Sequence, residues 1–193
     1  MSMLAGINLR PISFDDFSQL RRIHAQAYRS FLGSDLTEDQ IEALVDFVHT
    51  PQYIELILQT ECLGAWINDH LCGTASWTPG GPASDGARLA AVCVDPLFSS
   101  LGIARRLVTE IESRARRAGF ATLTARSPVT VAPFFQHLGY TGTSRGVWVT
   151  PCGVTVPVVH MRKGPVARDA RTIGGRTIPA LEATMPSASE RPN

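Results

Sequence analysis

The residues best suited to chemistry form a strand–turn–helix unit around Gly102, near the middle of the chain. An apolar run that ends at Val94 leads into Asp95 and Pro96, and helical spacing begins at Ile103. A helix that begins directly after such a turn directs several unpaired backbone N–H groups to one point, where the helix dipole adds partial positive charge. This arrangement predicts a site for a phosphate or pyrophosphate. The N–H groups expected to bind it belong to Ser100, Leu101, Gly102, Ile103, Ala104 and Arg105.

These residues resemble the signature of the GNAT superfamily of acyl-CoA-dependent N-acyltransferases. Members have a strand that ends near Val-x-Pro, followed by Gln/Arg-x-x-Gly-x-Gly/Ala at the start of the next helix. The matching residues are Val94, Pro96, Gly102 and Ala104, whereas Ser99 stands where the family usually has Gln or Arg. The resemblance implies that the pyrophosphate is held mainly by backbone N–H groups, so this departure leaves the site intact. Taken alone, Gly-x-Ala is also typical of an ordinary helix start.

A second resemblance covers residues 132–140, where the family has a short helix that carries an aromatic pair and ends at Gly-Phe or Gly-Tyr. In many members the second aromatic residue is a tyrosine that protonates the leaving thiolate. Phe135 occupies that position and has no proton to give, although the Phe-Phe form is also common in the family. We expect Phe135 to contact the cofactor and Phe134 to pack in the core.

The reaction that the resemblance implies is the attack of an amine on a thioester carbonyl, which needs a base and a group that polarises the carbonyl. In GNAT proteins two central strands splay apart and their backbone binds the pantetheine. By position this role falls to the backbone of Val92, Cys93 and Val94. The family often has a glutamate on the preceding strand, but the run from Arg88 to Val92 has no carboxylate. The sequence therefore does not identify the general base.

Three side chains are the candidate catalytic residues: Ser127, Tyr28 and His160. Ser127 ends a strand beside the expected cleft, where it either bonds the thiol or caps the turn before the next proline. Tyr28 lies one helical turn after His24, and at least one of these two is expected to be a packing residue. His160 is a candidate because histidine side chains commonly carry protons in enzymes, although a single strand histidine is more often structural. Cys93 is a poor nucleophile candidate because the sequence places no basic residue beside it.

The resemblance implies an α/β (α+β) fold with a mixed, mostly antiparallel seven-stranded sheet, splayed central strands and about four flanking helices. The pattern of apolar residues predicts strand, helices, three strands, helix, strand, helix and two strands along the chain. This order of elements is that of the GNAT fold, and the resemblance covers roughly residues 7–163. Strands are predicted at 7–12, 62–67, 71–78, 88–94, 121–127, 143–150 and 154–161, and helices up to 31 and over 37–48, 51–59, 103–119 and 131–138. Thr37 and Gln40 match a capping box before the second helix, and residues 79–86 are predicted to form a loop.

The composition of the chain bears on its expected ligands and location. The chain has 193 residues, 44% of them hydrophobic, and a formal net charge of +1, which gives no electrostatic case for nucleic acid or an anionic membrane. The four cysteines lack the spacing of a zinc site, so we expect reduced thiols and no metal. No signal peptide and no apolar run of about 18 residues are apparent, which predicts a cytoplasmic protein.

Two regions and one function follow from these patterns. Residues 1–163 are predicted to form the acyltransferase domain, and residues 164–193 a Pro-, Arg- and Ser-rich tail that is flexible or docks on the surface, with a homodimer as one outcome. The resemblance implies direct transfer of an acetyl group from acetyl-CoA to a primary amine of a small molecule or peptide. A non-catalytic acyl-CoA-binding module or sensor is the alternative. A Rossmann-like nucleotide binder is disfavoured because no Gly-x-Gly-x-x-Gly follows the first strand.

Overall fold

A computed structural model gives the fold and describes residues 6–80 and 86–164. Most of the loop predicted at 79–86 and the predicted tail after Gly164 lie outside the described residues. The strands are β1 (Ile7–Pro11), β2 (Glu61–Ile67), β3 (His70–Pro79), β4 (Gly86–Val94), β5 (Thr122–Pro128), β6 (Thr141–Val149) and β7 (Thr155–Lys163). The helices are α1 (Phe17–Phe31), α2 (Glu38–Val48), α3 (Pro51–Leu58), α4 (Ile103–Arg117) and α5 (Ala132–His137).

The helix ends agree with the sequence signals that predicted them. Thr37 and Gln40 form the expected capping box before α2, with the Gln40 N–H donating to the Thr37 hydroxyl at 3.4 Å and the Thr37 N–H donating to the Gln40 side chain at 3.0 Å. Thr50 caps α3, in which Pro51 takes the first position. The described residues hold five α-helices, one for each helical range predicted from the sequence, where the resemblance implied about four. None of the described helices combines the length and hydrophobicity needed to cross a bilayer.

The strands form one seven-stranded sheet in the order β1-β2-β3-β4-β5-β7-β6. Its neighbouring strands are antiparallel except for the central pair of β4 and β5, which is parallel. The predicted mixed, mostly antiparallel sheet is therefore confirmed.

The two central strands separate part of the way along the sheet. Pairing between β4 and β5 runs only from Gly86 opposite Thr122 to Leu89 opposite Ala125. One residue further along β4 is a bulge, since the step from Thr74 to Ser76 on β3 spans three residue steps on β4. Ala91 lies in this bulge with φ 50°. The bulge bends β4 away from β5 and opens a cleft between the two strands.

Helices cover both faces of the sheet. The α4 residues Ile103, Leu107 and Ile111 are at most 1% exposed and pack on one face of the sheet. The approach of α4 requires Gly73 on β3, where a Cβ atom would lie 3.0 Å from Ile103. On the other face, α1 and α3 pack through residues such as Leu20. The cleft between β4 and β5 therefore opens between two helical layers.

Candidate active site

The turn after β4 has the backbone geometry that an anion site requires. Ser100 and Gly102 both adopt the left-handed conformation, with φ 67° and 74°. The first hydrogen bond of α4 joins the Arg106 N–H to the Gly102 carbonyl, so the N–H groups of residues 103–105 have no partner within the helix. Among the described residues, the N–H groups of residues 100–102 make no hydrogen bond either. Six consecutive donors are thus available at this helix start.

The buried side chain of Asp95 stabilises the turn that follows β4. Its side chain is 1% exposed and accepts a hydrogen bond from the Leu97 N–H at 3.0 Å. The other carboxylate oxygen lies 2.9 Å from Arg22 Nη1 on α1. A buried carboxylate with both a capping bond and an ion pair ties the turn to the rest of the fold.

Asp95→Ala removes the capping bond and the ion pair together. We expect a loss of about 3 kcal/mol in the free energy of unfolding, because Arg22 and the Leu97 N–H lose their partner. Asp95→Asn keeps the capping acceptor and removes the charge, so its loss should be smaller. Urea denaturation measures both values. Equal stability of Asp95→Ala and of Asp46→Ala, a control on the exposed face of α2, would contradict this account of the turn.

Beyond the bulge, alternate backbone groups of β4 face the open cleft. The Asp95 N–H bonds the Cys72 carbonyl on β3, and antiparallel ladders alternate the direction of these groups. The Cys93 backbone consequently faces β3, in agreement with its carbonyl lying 3.0 Å from a Cβ placed on Gly73. Val92 and Val94 face the cleft. The backbone groups of Val92 and Val94 are thus the ones directed at the cleft, and cofactor binding by Val92, Cys93 and Val94 stays a prediction.

A buried chain of hydrogen bonds holds the bulge. The Thr74 hydroxyl donates to the Ala91 carbonyl at 2.8 Å, so it accepts from His24 Nε2, which lies 2.6 Å away. The proton on Nε2 leaves Nδ1 of His24 as an acceptor for the Tyr53 hydroxyl. This assignment satisfies both nitrogens of a neutral imidazole. The chain joins α1, α3 and β3 to the strained residue of β4.

The surroundings of two side chains that sequence analysis considered shift their pKa values away from neutral pH. His24 is fully buried, and the cost of desolvation lowers its pKa to about 3. Burial likewise raises the pKa of the Cys93 thiol to about 12. Tyr28 is half-buried near Cys93 and Tyr53, and burial raises its pKa above the usual value. Neither His24 nor Cys93 is thus poised for chemistry near neutral pH.

Ser127 and Phe135 lie on the α4 side of the cleft. Ser127 is fully buried, and its hydroxyl donates to the Pro128 carbonyl at 3.0 Å, as in the capping alternative. Phe135 is 4% exposed and packs edge-to-face against Tyr140 at 5.4 Å between ring centroids. Phe134 is the more exposed of the aromatic pair. Sequence analysis expected core packing chiefly at Phe134, but Phe135 is the more deeply buried of the two.

Comparison with known proteins decides the family. The family model described as "Acetyltransferase (GNAT) domain" matches residues 32–163, which is more than half of the chain. The chain belongs to the GNAT acetyltransferase family. No curated protein matches its sequence.

Solved structures share the GNAT fold at low sequence identity. A GCN5-related N-acetyltransferase from Rhodopseudomonas palustris is 21% identical, with a TM-score of 0.74 over 82% of this chain and 95% of that one. PaiA N-acetyltransferase from Thermoplasma acidophilum, in complex with coenzyme A, is 16% identical, with a TM-score of 0.65 over 82% of this chain and 99% of that one. YncA from Salmonella typhimurium, with acetyl-CoA, is 19% identical, with a TM-score of 0.58 over 85% and 98%.

The predicted catalytic side chains of this GNAT protein fall on different faces of the sheet. Ser127 has the same orientation along β5 as Ala125, which packs under α4. Tyr28 packs on the opposite face, against α2. His160 lies on that face too, on β7 opposite Arg126. The structure therefore does not gather the three residues into one cluster.

Sequence analysis missed a carboxylate at the end of the cleft. Asp35, between α1 and α2, accepts a hydrogen bond from the Thr130 N–H at 3.1 Å and so lies beside the end of β5. Its place in an irregular segment gave no periodic signal. Within residues 6–80 and 86–164, no three His, Cys, Asp or Glu side chains converge as metal ligands do.

Proposed function

We propose that the protein is an N-acetyltransferase that moves an acetyl group directly from acetyl-CoA to a primary amine. One observation carries the proposal: the open cleft between β4 and β5 leads to a turn with six available N–H donors. An extended acyl carrier with a pyrophosphate at one end fits this combination of a strand-like groove and an anion site. The coenzyme A and acetyl-CoA bound by two structural relatives support the choice of donor.

Each part of the donor has a counterpart in the chain. The pyrophosphate binds at the N–H groups of residues 100–105, and the pantetheine lies along the open edge of β4. Val92 and Val94 offer backbone groups to its amides, and Phe135 lies on the α4 side of the cleft. The thioester then lies near the bulge at Ala91, where backbone dipoles polarise its carbonyl.

The reaction balances without a covalent enzyme intermediate. The amine nitrogen forms a bond to the carbonyl carbon, the C–S bond breaks, and the thiolate of CoA receives a proton. The ammonium proton of the acceptor is lost to a base or to water. Ser127, Tyr28 and His160 stay predictions as proton carriers, and Asp35 joins them as a carboxylate near the cleft. Placement of the amine against the thioester supplies much of the rate.

The deciding experiment combines calorimetry with a thiol-release assay. We expect acetyl-CoA to bind and at least one member of a broad panel of primary amines to release CoA. Binding without release by any amine would support the alternative of a non-catalytic acyl-CoA-binding module. Two features favour that alternative: Phe135 lacks a hydroxyl, and the hydroxyl of Ser127 is engaged by Pro128.

The variant Phe135→Tyr tests whether turnover is limited by the absence of a general acid that protonates the leaving thiolate. The CoA thiolate is a tolerable leaving group near neutral pH, so we expect turnover within about tenfold of the parent, equivalent to about 1.4 kcal/mol in the barrier. Ser127→Ala measures the contribution of the remaining hydroxyl beside the cleft. Turnover is measured across pH with the best amine. A hundredfold acceleration by Phe135→Tyr with a silent Ser127→Ala would show that a missing acid limits the parent protein.

A further inference from the structure

A cationic groove lies next to the cleft, on the face of the sheet opposite α4. It has a volume of about 590 Å³. Its lining includes Arg88, Thr124, Arg126, Ser144, His160 and Arg162. We call these residues the arginine groove. They come from four strands, so the sheet itself forms the floor.

Strand register explains why these side chains converge. Arg88 on β4 lies opposite Thr124 on β5, and Arg126 lies opposite His160 on β7. Side chains two residues apart on a strand share a face. Val156 and Val158 of β7 are covered by α1 and α2, whereas the next residue on the same face, His160, lines the groove. The helices thus leave this part of the sheet open.

Two arginines in the groove have no acidic partner among the described residues. Arg88 and Arg126 are both exposed, and Arg126 lies over the Trp148 ring at 5.1 Å from its centroid. Desolvation of the guanidinium group by the groove, together with the neighbouring Arg88 charge, lowers the pKa of Arg126, although much of its side chain is exposed. By contrast, Arg29 and Arg114 form ion pairs with glutamates at 2.6 and 2.7 Å. Two like charges side by side are relieved by a bound anion, which guanidinium groups bind in bidentate fashion.

The arginine groove is separate from the site proposed for the CoA phosphates. The six residue steps from Arg88 to Val94 along β4 span about 20 Å, and the anion-binding turn lies beyond them. Arg126, in contrast, is the first residue of β5 after its last pair with β4, at the point where the cleft opens. The groove therefore adjoins the expected position of the thioester and not that of the pyrophosphate.

We infer that the arginine groove binds a carboxylate of the acceptor, so that the acceptors are amines that also carry a carboxylate, such as amino acids or peptides. The inference rests on the proposed function, because the amine must lie beside the thioester. Arg126 and Arg88 hold the carboxylate, and the amine points into the cleft. The hydroxyls of Thr124 and Ser144 offer further donors.

Kinetics with matched acceptors test the inference. Amino acids are compared with their amides and with phosphoethanolamine in the thiol-release assay, for the parent and for Arg126→Gln, Arg88→Gln and Arg117→Gln. Arg117, exposed on α4, is the control for the loss of one positive charge. We expect Arg126→Gln and Arg88→Gln to raise KM for the carboxylates at least tenfold, with kcat and the KM for acetyl-CoA unchanged. Reaction with the amides should respond to none of the three.

A binding readout separates failure of the inference from failure of the proposed function. The Nε–H resonances of Arg88 and Arg126, assigned from the two variants, are followed in the CoA-loaded protein during titration with N-acetylalanine or N-acetylalanine amide. Shifts with the acid alone support the inference even if no amine releases CoA, which would overturn only the transferase proposal. Absence of shifts, amides as good as acids, or a preference for phosphoethanolamine would overturn the carboxylate site.

Discussion

Gly102→Asp is expected to weaken acetyl-CoA binding at least a hundredfold, or by about 2.7 kcal/mol. The substitution places a carboxylate at the N-terminus of α4, where the phosphates are proposed to bind, and like charges repel strongly in a partly enclosed site. It also imposes a side chain on a backbone at φ 74°. Asparagine has a similar shape and tolerates this conformation better than most residues.

Calorimetry of the parent, Gly102→Asp and Gly102→Asn separates charge from shape. We expect the asparagine variant to lose much less affinity than the aspartate variant, and the difference should shrink as salt is added. Unchanged affinity of Gly102→Asp would remove the cofactor assignment of the turn. An equal loss in both variants would instead show that backbone strain at this residue decides binding.

Thr74→Val is expected to lower the free energy of unfolding by about 3 kcal/mol and to slow turnover. Valine has the same shape as threonine, but it leaves the His24 Nε2–H and the Ala91 carbonyl without their partner in a buried setting. Since Ala91 holds a left-handed conformation in the bulge, loss of this support lets the bulge relax. The backbone dipoles near the thioester would then lose their alignment.

Ser76→Ala provides a matched control on the same strand. The Ser76 hydroxyl is also fully buried but has no hydrogen-bond partner among the residues that the structure describes, so its removal should leave stability unchanged or slightly improved. Denaturant unfolding and steady-state kinetics measure both variants. If Thr74→Val lost no more stability than Ser76→Ala, the hydrogen-bond chain would not support the bulge.

The fold was readable from the sequence because its local signals agree with one another. The alternation in the strands, the Thr37–Gln40 capping box and the Gly102 turn each predicted an element whose ends the structure reproduces to within about two residues. The strand end and the helix start that we propose to bind the cofactor were equally predictable, because both are local features. Both can be recognised in a stretch of about ten residues.

The part of the site proposed for the acceptor was much harder to predict from the sequence, because it depends on contacts between distant segments. Nothing near His24 shows that it meets Thr74 or Tyr53, which lie 50 and 29 residues away. The bulge at Ala91 has no glycine or proline to mark it. The sequence contains a partial indication of the arginine groove, since Arg126 and His160 stand at alternating polar positions of their strands. Strand order was needed to place them side by side.

The bulge at Ala91 also gives the sheet an inner edge. From residues 90 to 94, the side of β4 that faces β5 carries backbone groups with no strand partner among the described residues. Unpaired edges accept any extended chain with backbone amides, and this accounts for their tendency to aggregate. The pantetheine of the proposed donor has two amides and would act here as a short guest strand. In the proposed complex, acetyl-CoA would therefore also cover backbone groups of β4 that have no strand partner among the described residues.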